Sequence, residues 1–159
     1  MRDLLVFLPA CIAYLIFKGA LFPAVPVPDV PLLVVFYIGY TRSNVEGALL
    51  SFAIGYVEDA FTSGVLGATS FAFVAVFLAV CILAKKVHFS TPAVKAASAA
   101  ALGFLKAALV SLVLKSTDPD APFLWGSILQ AVVTGAFAPA ILTVLERMRA
   151  LVTPRTFER

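Results

Sequence analysis

Almost every residue of this chain lies in an apolar run close to the length of a membrane crossing. The runs are Leu4 to Phe22, Val30 to Tyr40, Val45 to Phe61, Val65 to Ala84, Pro92 to Leu114 and Phe123 to Leu145. A hydrocarbon core roughly 30 Å thick takes about 20 apolar residues per helical crossing. Within lipid the backbone must satisfy its own polar groups, so such runs form helices. The joints between them are too short for a separate soluble domain. Composition points the same way: 62% of residues are apolar, 13% are charged and mean hydropathy is +1.02. A soluble domain carries about 25% charged residues, and a small soluble core could not enclose this much apolar surface. The expected fold is a single all-α membrane domain over residues 1–159, a six-helix transmembrane bundle.

Local signals mark the joints. Pro92 suits the first turn of a helix, with Ser90 or Thr91 as its cap. Asp118-Pro119-Asp120 and Pro122 form a turn and cap before the sixth run. Thr62-Ser63-Gly64 and Thr41-Arg42-Ser43-Asn44 are tight connectors. The prolines at 23, 26, 28 and 31 prevent a continuous helix there, so this stretch reads as an extended loop at the membrane surface. The second run is short, spanning about 16 Å at 1.5 Å per residue. It starts inside the proline stretch, sits where the bilayer is locally thin, or is re-entrant.

Charge placement arbitrates among these. With six crossings and the N-terminus inside, the cytoplasmic segments hold Arg2, Arg42, Lys85, Lys86, Arg147, Arg149, Arg155 and Arg159. The outer loops hold Lys115, Asp29, Asp118 and Asp120. This matches the positive-inside rule, whereas a re-entrant second run would put Lys85 and Lys86 on the wrong side. Both termini are therefore expected in the cytoplasm. The first run is too long for a signal peptide, carries Lys18 near its end and has no Ala-x-Ala site after it, so it reads as a retained helix. The net charge of +3 sits in short cytoplasmic segments, where it sets orientation and touches anionic lipid. A nucleic-acid footprint would need a basic face on a soluble fold.

Chemistry-bearing constellations are sparse. Cys11 and Cys81 lie within expected helices and read as packing residues. His88 is the only histidine, and no other ligands converge on it for a metal site. No Ser–His–Asp spacing, phosphate loop or carboxylate pair suggests catalysis, and no cofactor is implied. The notable residues are charges inside helices: Lys18, Asp59 beside Glu58, and Lys106. Each is about 14 positions from the cytoplasmic start of a helix running the same way, hence roughly 21 Å deep. Intramembrane charges usually face the bundle interior and pair, so a Lys–carboxylate cluster is expected in the outer half. The competing arrangement has Lys18 snorkelling to the surface and Glu58 and Asp59 ending their helix in water. Asp29, just before the second run, either caps that helix or meets a partner.

Small residues recur every fourth position at Gly47, Ser51 and Gly55, and at Ala99, Gly103, Ala107 and Ser111. Such ridges serve internal helix packing or dock another protein's membrane helix. Gln130 and Thr134 lie one turn apart and are placed to bond across helices. Pro139 should kink the sixth helix. Trp125 fits the interfacial aromatic belt.

Three features in order resemble a known family: Pro28-Asp29-Val30; Gly47-Ala48-Leu49-Leu50-Ser51-Phe52; and Gly55-Tyr56-Val57-Glu58-Asp59-Ala60-Phe61-Thr62-Ser63-Gly64-Val65-Leu66-Gly67. Together with length and hydropathy they resemble the rod-shape-determining MreD family of bacterial inner-membrane proteins. Val30 stands where Leu is usual, and Glu58 adds a second acid beside Asp59. The resemblance implies a non-catalytic member of the cell-elongation machinery that helps position peptidoglycan synthesis. The implied partners are an MreC-like bitopic membrane protein and, through it, an MreB-like cytoskeleton and a RodA/penicillin-binding protein synthase. The family's fold is similar to the S components of energy-coupling-factor transporters, which implies an outward-facing cavity. It also brings in the alternative of a substrate-binding subunit of a small-molecule transporter.

Overall fold

The computed structural model describes residues 2–21, 27–41, 45–61, 65–86, 91–117 and 125–152. Six helices follow in order: α1 Arg2–Leu21, α2 Val30–Thr41, α3 Val45–Phe61, α4 Ala68–Ala84, α5 Pro92–Thr117 and α6 Trp125–Val152. No strand occurs among the described residues. His88, Arg42, Pro23, Pro26, residues 62–64 and 118–120, and the side chain of Trp125 lie outside the described residues.

The shortest helix is the centre of the bundle. α2 touches all five others, and every residue from Pro31 to Gly39 is buried. A helix that is apolar all round belongs inside a protein. Its shortness carries no penalty there, because neighbouring helices rather than lipid surround it. Asp29 starts it: Oδ1 accepts the Leu32 N–H at 3.2 Å and the Asp29 carbonyl accepts the Leu33 N–H at 3.1 Å. Pro31 falls in the first turn, where an N–H has no partner within the helix. At the far end Thr41 Oγ1 donates to the Tyr37 carbonyl at 2.6 Å.

Around α2 the helices pack in two close pairs, α3 with α4 and α5 with α6. Glycines set both contacts. A Cβ at Gly55 would fall 2.5 Å from Ser70 Cα, and one at Gly47 would fall 2.6 Å from the Phe77 ring. On the second pair, a Cβ at Gly103 would fall 2.8 Å from Ala131 Cβ, and one at Gly135 would fall 2.7 Å from Ala100 Cβ. Backbones approach this closely only where side chains are absent or small. The core fills with Leu32, Phe36, Leu50, Ile54, Phe73, Val76, Val80 and Leu142.

The outer surface is apolar as well. Phe52, Tyr56, Phe71, Leu78, Ile82, Leu112, Val132 and Phe137 are each more than half exposed. Among the described residues, Pro92–Thr117 and Gly126–Met148 are long and apolar enough to cross a membrane. The 8–19 part of α1, together with α2 and α4, forms shorter apolar helices.

The largest boundary differences from the sequence expectation are in α4, α5 and α6, while α1 starts two residues early, at Arg2, and α2 ends one residue late, at Thr41. α4 begins at Ala68 rather than Val65, because Gly67 adopts a left-handed φ of 97° immediately before it. Only glycine takes that conformation without steric cost. α5 continues to Thr117 and α6 to Val152, since polar and basic residues prolong a helix as readily as apolar ones once it is nucleated.

Candidate functional site

One end of the bundle gathers the buried charges. It is formed by the C-terminal parts of α1, α3 and α5 and the N-terminal parts of α2, α4 and α6. Lys106 on α5 is its hub. Its Nζ lies 2.6 Å from Asp29 Oδ2 and 2.8 Å from Glu58 Oε1. It also sits 4.4 Å from the centroid of the Phe73 ring. A desolvated ammonium is tolerable only with such partners, and the ring face adds a cation–π contact.

Asp29 draws several elements together. Besides capping α2 and pairing with Lys106, its backbone N–H donates to Thr134 Oγ1 on α6 at 2.8 Å. Thr134 Oγ1 in turn donates to the Gln130 carbonyl at 2.7 Å. Tyr14 on α1 donates its hydroxyl to the carbonyl of the neighbouring Pro28. Asp29 is thus the cap of α2 and is ion-paired within the chain as well.

Asp59 departs from its expected place. It forms no ion pair with a lysine among the described residues; its carboxylate receives backbone N–H groups of Gly67 at 2.9 Å, Thr69 at 3.0 Å and Ser70 at 3.2 Å, and the Ser70 hydroxyl at 3.3 Å. It is a remote N-terminal cap of α4, meeting the free donors and positive dipole end of that helix. Glu58 is the acid that reaches the lysine. Adjacent helical residues point about 100° apart, so only one of the two acids can face the bundle axis where Lys106 lies. The motif glycines serve the same joint: Gly55 lets α3 touch the α4 backbone at Ser70, and Gly67 turns the chain into it.

The cluster borders a cavity of about 450 Å³. Its wall includes Lys18, Asp29, Glu58, Lys106, Gln130 and Thr134, with apolar stretches from Val65, Val110 and Leu114. Lys18, Asp59 and Lys106 therefore share one end, although only Lys106 is ion-paired among the described residues. Lys18 lines the wall half-buried. Glu58 Oε2 is buried without a hydrogen-bond partner among the described residues.

Most residues of the small-residue ridges pack inside the chain. Gly47 and Gly55 face α4, and Gly103 faces α6. Ser51 is fully buried and donates to the Gly47 carbonyl at 2.7 Å; Ala99 is buried and Ala107 lines the cavity. The interhelical polar bond comes from Thr134, while the Gln130 side chain borders the cavity. Cys11 is buried in the core, and Cys81 Sγ lies 3.6 Å from the Gly39 carbonyl as its donor. No group of three or more His, Cys, Asp or Glu is placed to hold a metal ion among the described residues.

A second cluster escaped the sequence reading. At the opposite end, Glu146 Oε1 on α6 accepts from Lys95 Nζ on α5 and from the Tyr40 hydroxyl, each at 2.9 Å. The antiparallel order of α5 and α6, which places the start of one beside the end of the other, was the available signal. The Glu146 side chain is 43% exposed, so this is a rim contact. Comparison with protein families, curated proteins and solved structures finds no match for this chain.

Proposed function

We propose that the chain is a six-span protein of the bacterial inner membrane, with both termini cytoplasmic, and a non-catalytic, MreD-like component of the cell-elongation machinery. In this role it binds an MreC-like bitopic partner and helps place peptidoglycan synthesis along the cell cylinder. The observation that carries the reading is the structural use of the resembling residues. Asp29, Gly47, Gly55, Asp59 and Gly67 all lie at joints of the bundle: Asp29 caps α2, Gly47 and Gly55 admit α4, and Asp59 and Gly67 start it. The apolar outer surface supports immersion in lipid, since contiguous exposed apolar area of this extent is rare on soluble monomers. With most of both ridges used internally, the partner helix meets an exposed apolar face instead. Co-purification with the MreC-like protein from native-like lipid tests the proposal; no association there would sink it.

A second reading is a substrate-binding subunit similar to an S component. The cavity of about 450 Å³ favours it, being within the usual size of ligand sites, about 300–1,000 Å³. Such a subunit would co-purify with a small ligand and an energising ATPase.

A further inference from the structure

The cavity has charges left over once its internal pairs are counted. Lys106 is paired with Asp29 and Glu58 and lies over the Phe73 ring, and Asp59 is held by the start of α4. What remains is one cation on the wall, one carboxylate oxygen buried just behind it and the residue Gln130. Lys18 lines the wall without an ion pair among the described residues. Glu58 Oε2 lacks a donor among the described residues. Gln130 lines the same space.

A buried carboxylate oxygen without a donor is destabilising, the more so when charged. The last torsion of a glutamate is soft and roughly two-fold, so the group turns toward an entering donor at little cost. An N–H donor relieves it; a fully substituted nitrogen cannot. Lys18, on the same wall, calls for an anionic group. Asp59 also lines the cavity, but its charge is met by the N–H groups at the start of α4; the remaining Lys18, Lys106, Asp29 and Glu58 sum to zero, so a ligand that is itself neutral overall adds no net charge to them.

We propose that this cavity binds a zwitterion consisting of a primary ammonium tethered to an anionic group, with the ammonium at Glu58 and the anion at Lys18. Two sources carry that chemistry: a phosphatidylethanolamine headgroup entering from the bilayer and a free phosphoethanolamine-like molecule from the aqueous side. The inference rests on the membrane reading above but not on the identity of the protein partner.

The test uses the full chain in phosphatidylcholine nanodiscs, with retention read by native mass spectrometry. One arm adds short-chain phosphatidylethanolamine, a second adds free phosphoethanolamine, and short-chain phosphatidylcholine is the control. A charge-assisted hydrogen bond contributes about 1.5–3 kcal/mol, so the ammonium ligand should be held about tenfold or more tightly than its choline counterpart. Glu58→Gln and Lys18→Gln should each lose about tenfold by the same conversion. Preference in the lipid arm alone assigns the headgroup; preference in the free arm alone assigns the soluble zwitterion. Equal retention of ethanolamine and choline forms, or either variant binding as the unmodified protein does, overturns the proposal. Should Glu58→Gln fail to fold, Lys18→Gln decides, because Lys18 makes no ion pair among the described residues. A chain that refuses nanodiscs and stays soluble overturns the membrane reading instead, and the free-ligand arm then decides the cavity.

Discussion

Lys106 Nζ on α5 and Asp29 Oδ2 at the start of α2 lie 2.6 Å apart, tying the central helix of the bundle to one of its outer helices. Glu58 on α3 joins the same ammonium at 2.8 Å. One side chain on α5 thus holds the start of α2 and the end of α3.

Removing that side chain alone should be severe. Lys106→Met leaves two carboxylates facing each other in a desolvated site, a class of change that costs about 3–5 kcal/mol. Replacing all three groups together, with Asp29→Asn, Glu58→Gln and Lys106→Met, should recover most of the loss, because the uncompensated charge is gone. Unfolding by SDS in mixed micelles measures both. If Lys106→Met unfolds at the same point as the unmodified chain, the cluster is dispensable.

Asp59→Ala should free the Gly67, Thr69 and Ser70 N–H groups at the start of α4 and destabilise the bundle by about 2–3 kcal/mol. Asp59→Asn should lie between, since one carbonyl oxygen keeps part of the cap. Hydrogen exchange at residues 67–70 reports the local effect: it should rise in the alanine variant before any global unfolding.

Gly55→Ala should cost about 1–3 kcal/mol, because the new methyl meets the Ser70 backbone and α3 must move away from α4. A methyl at Gly126 would meet nothing within 4 Å, so Gly126→Ala should be neutral or stabilise by up to about 1 kcal/mol through helix propensity. Opposite signs for the two substitutions in the same unfolding assay are the expected outcome.

The rim cluster should behave unlike the buried one. Glu146→Gln removes an exposed pairing with Lys95, worth about 0–1 kcal/mol, and the difference should shrink further at high salt. A loss as large as that of Lys106→Met would mean that this end of the bundle is not in contact with water.

Orientation can be read directly by thiol labelling. In a background of Cys11→Ala and Cys81→Ala, Leu66→Cys should react with an impermeant maleimide added outside, and Lys86→Cys only after the membrane is permeabilised. Both positions are exposed. The reverse pattern would invert the proposed topology.

The residues themselves determine much of this protein. Apolar runs interrupted by proline, glycine and charge place the helices, because a long apolar run favours a helix and each breaker stops one. The spacing of Lys18, Asp59 and Lys106 along parallel helices put them at one end of the bundle, since rise per residue alone sets depth. What rise per residue does not set is rotation about each helix axis and the choice of neighbour. Those decided that Glu58 rather than Asp59 meets Lys106, that Thr134 rather than Gln130 bonds to Asp29, and that Lys95 finds Glu146. The short apolar run at Val30–Thr41 looked like a weak crossing by length; enclosure by five neighbours makes it the core. Along the chain an apolar residue reads the same whether it faces lipid or protein, so the packing of the helices settled which run occupies the centre.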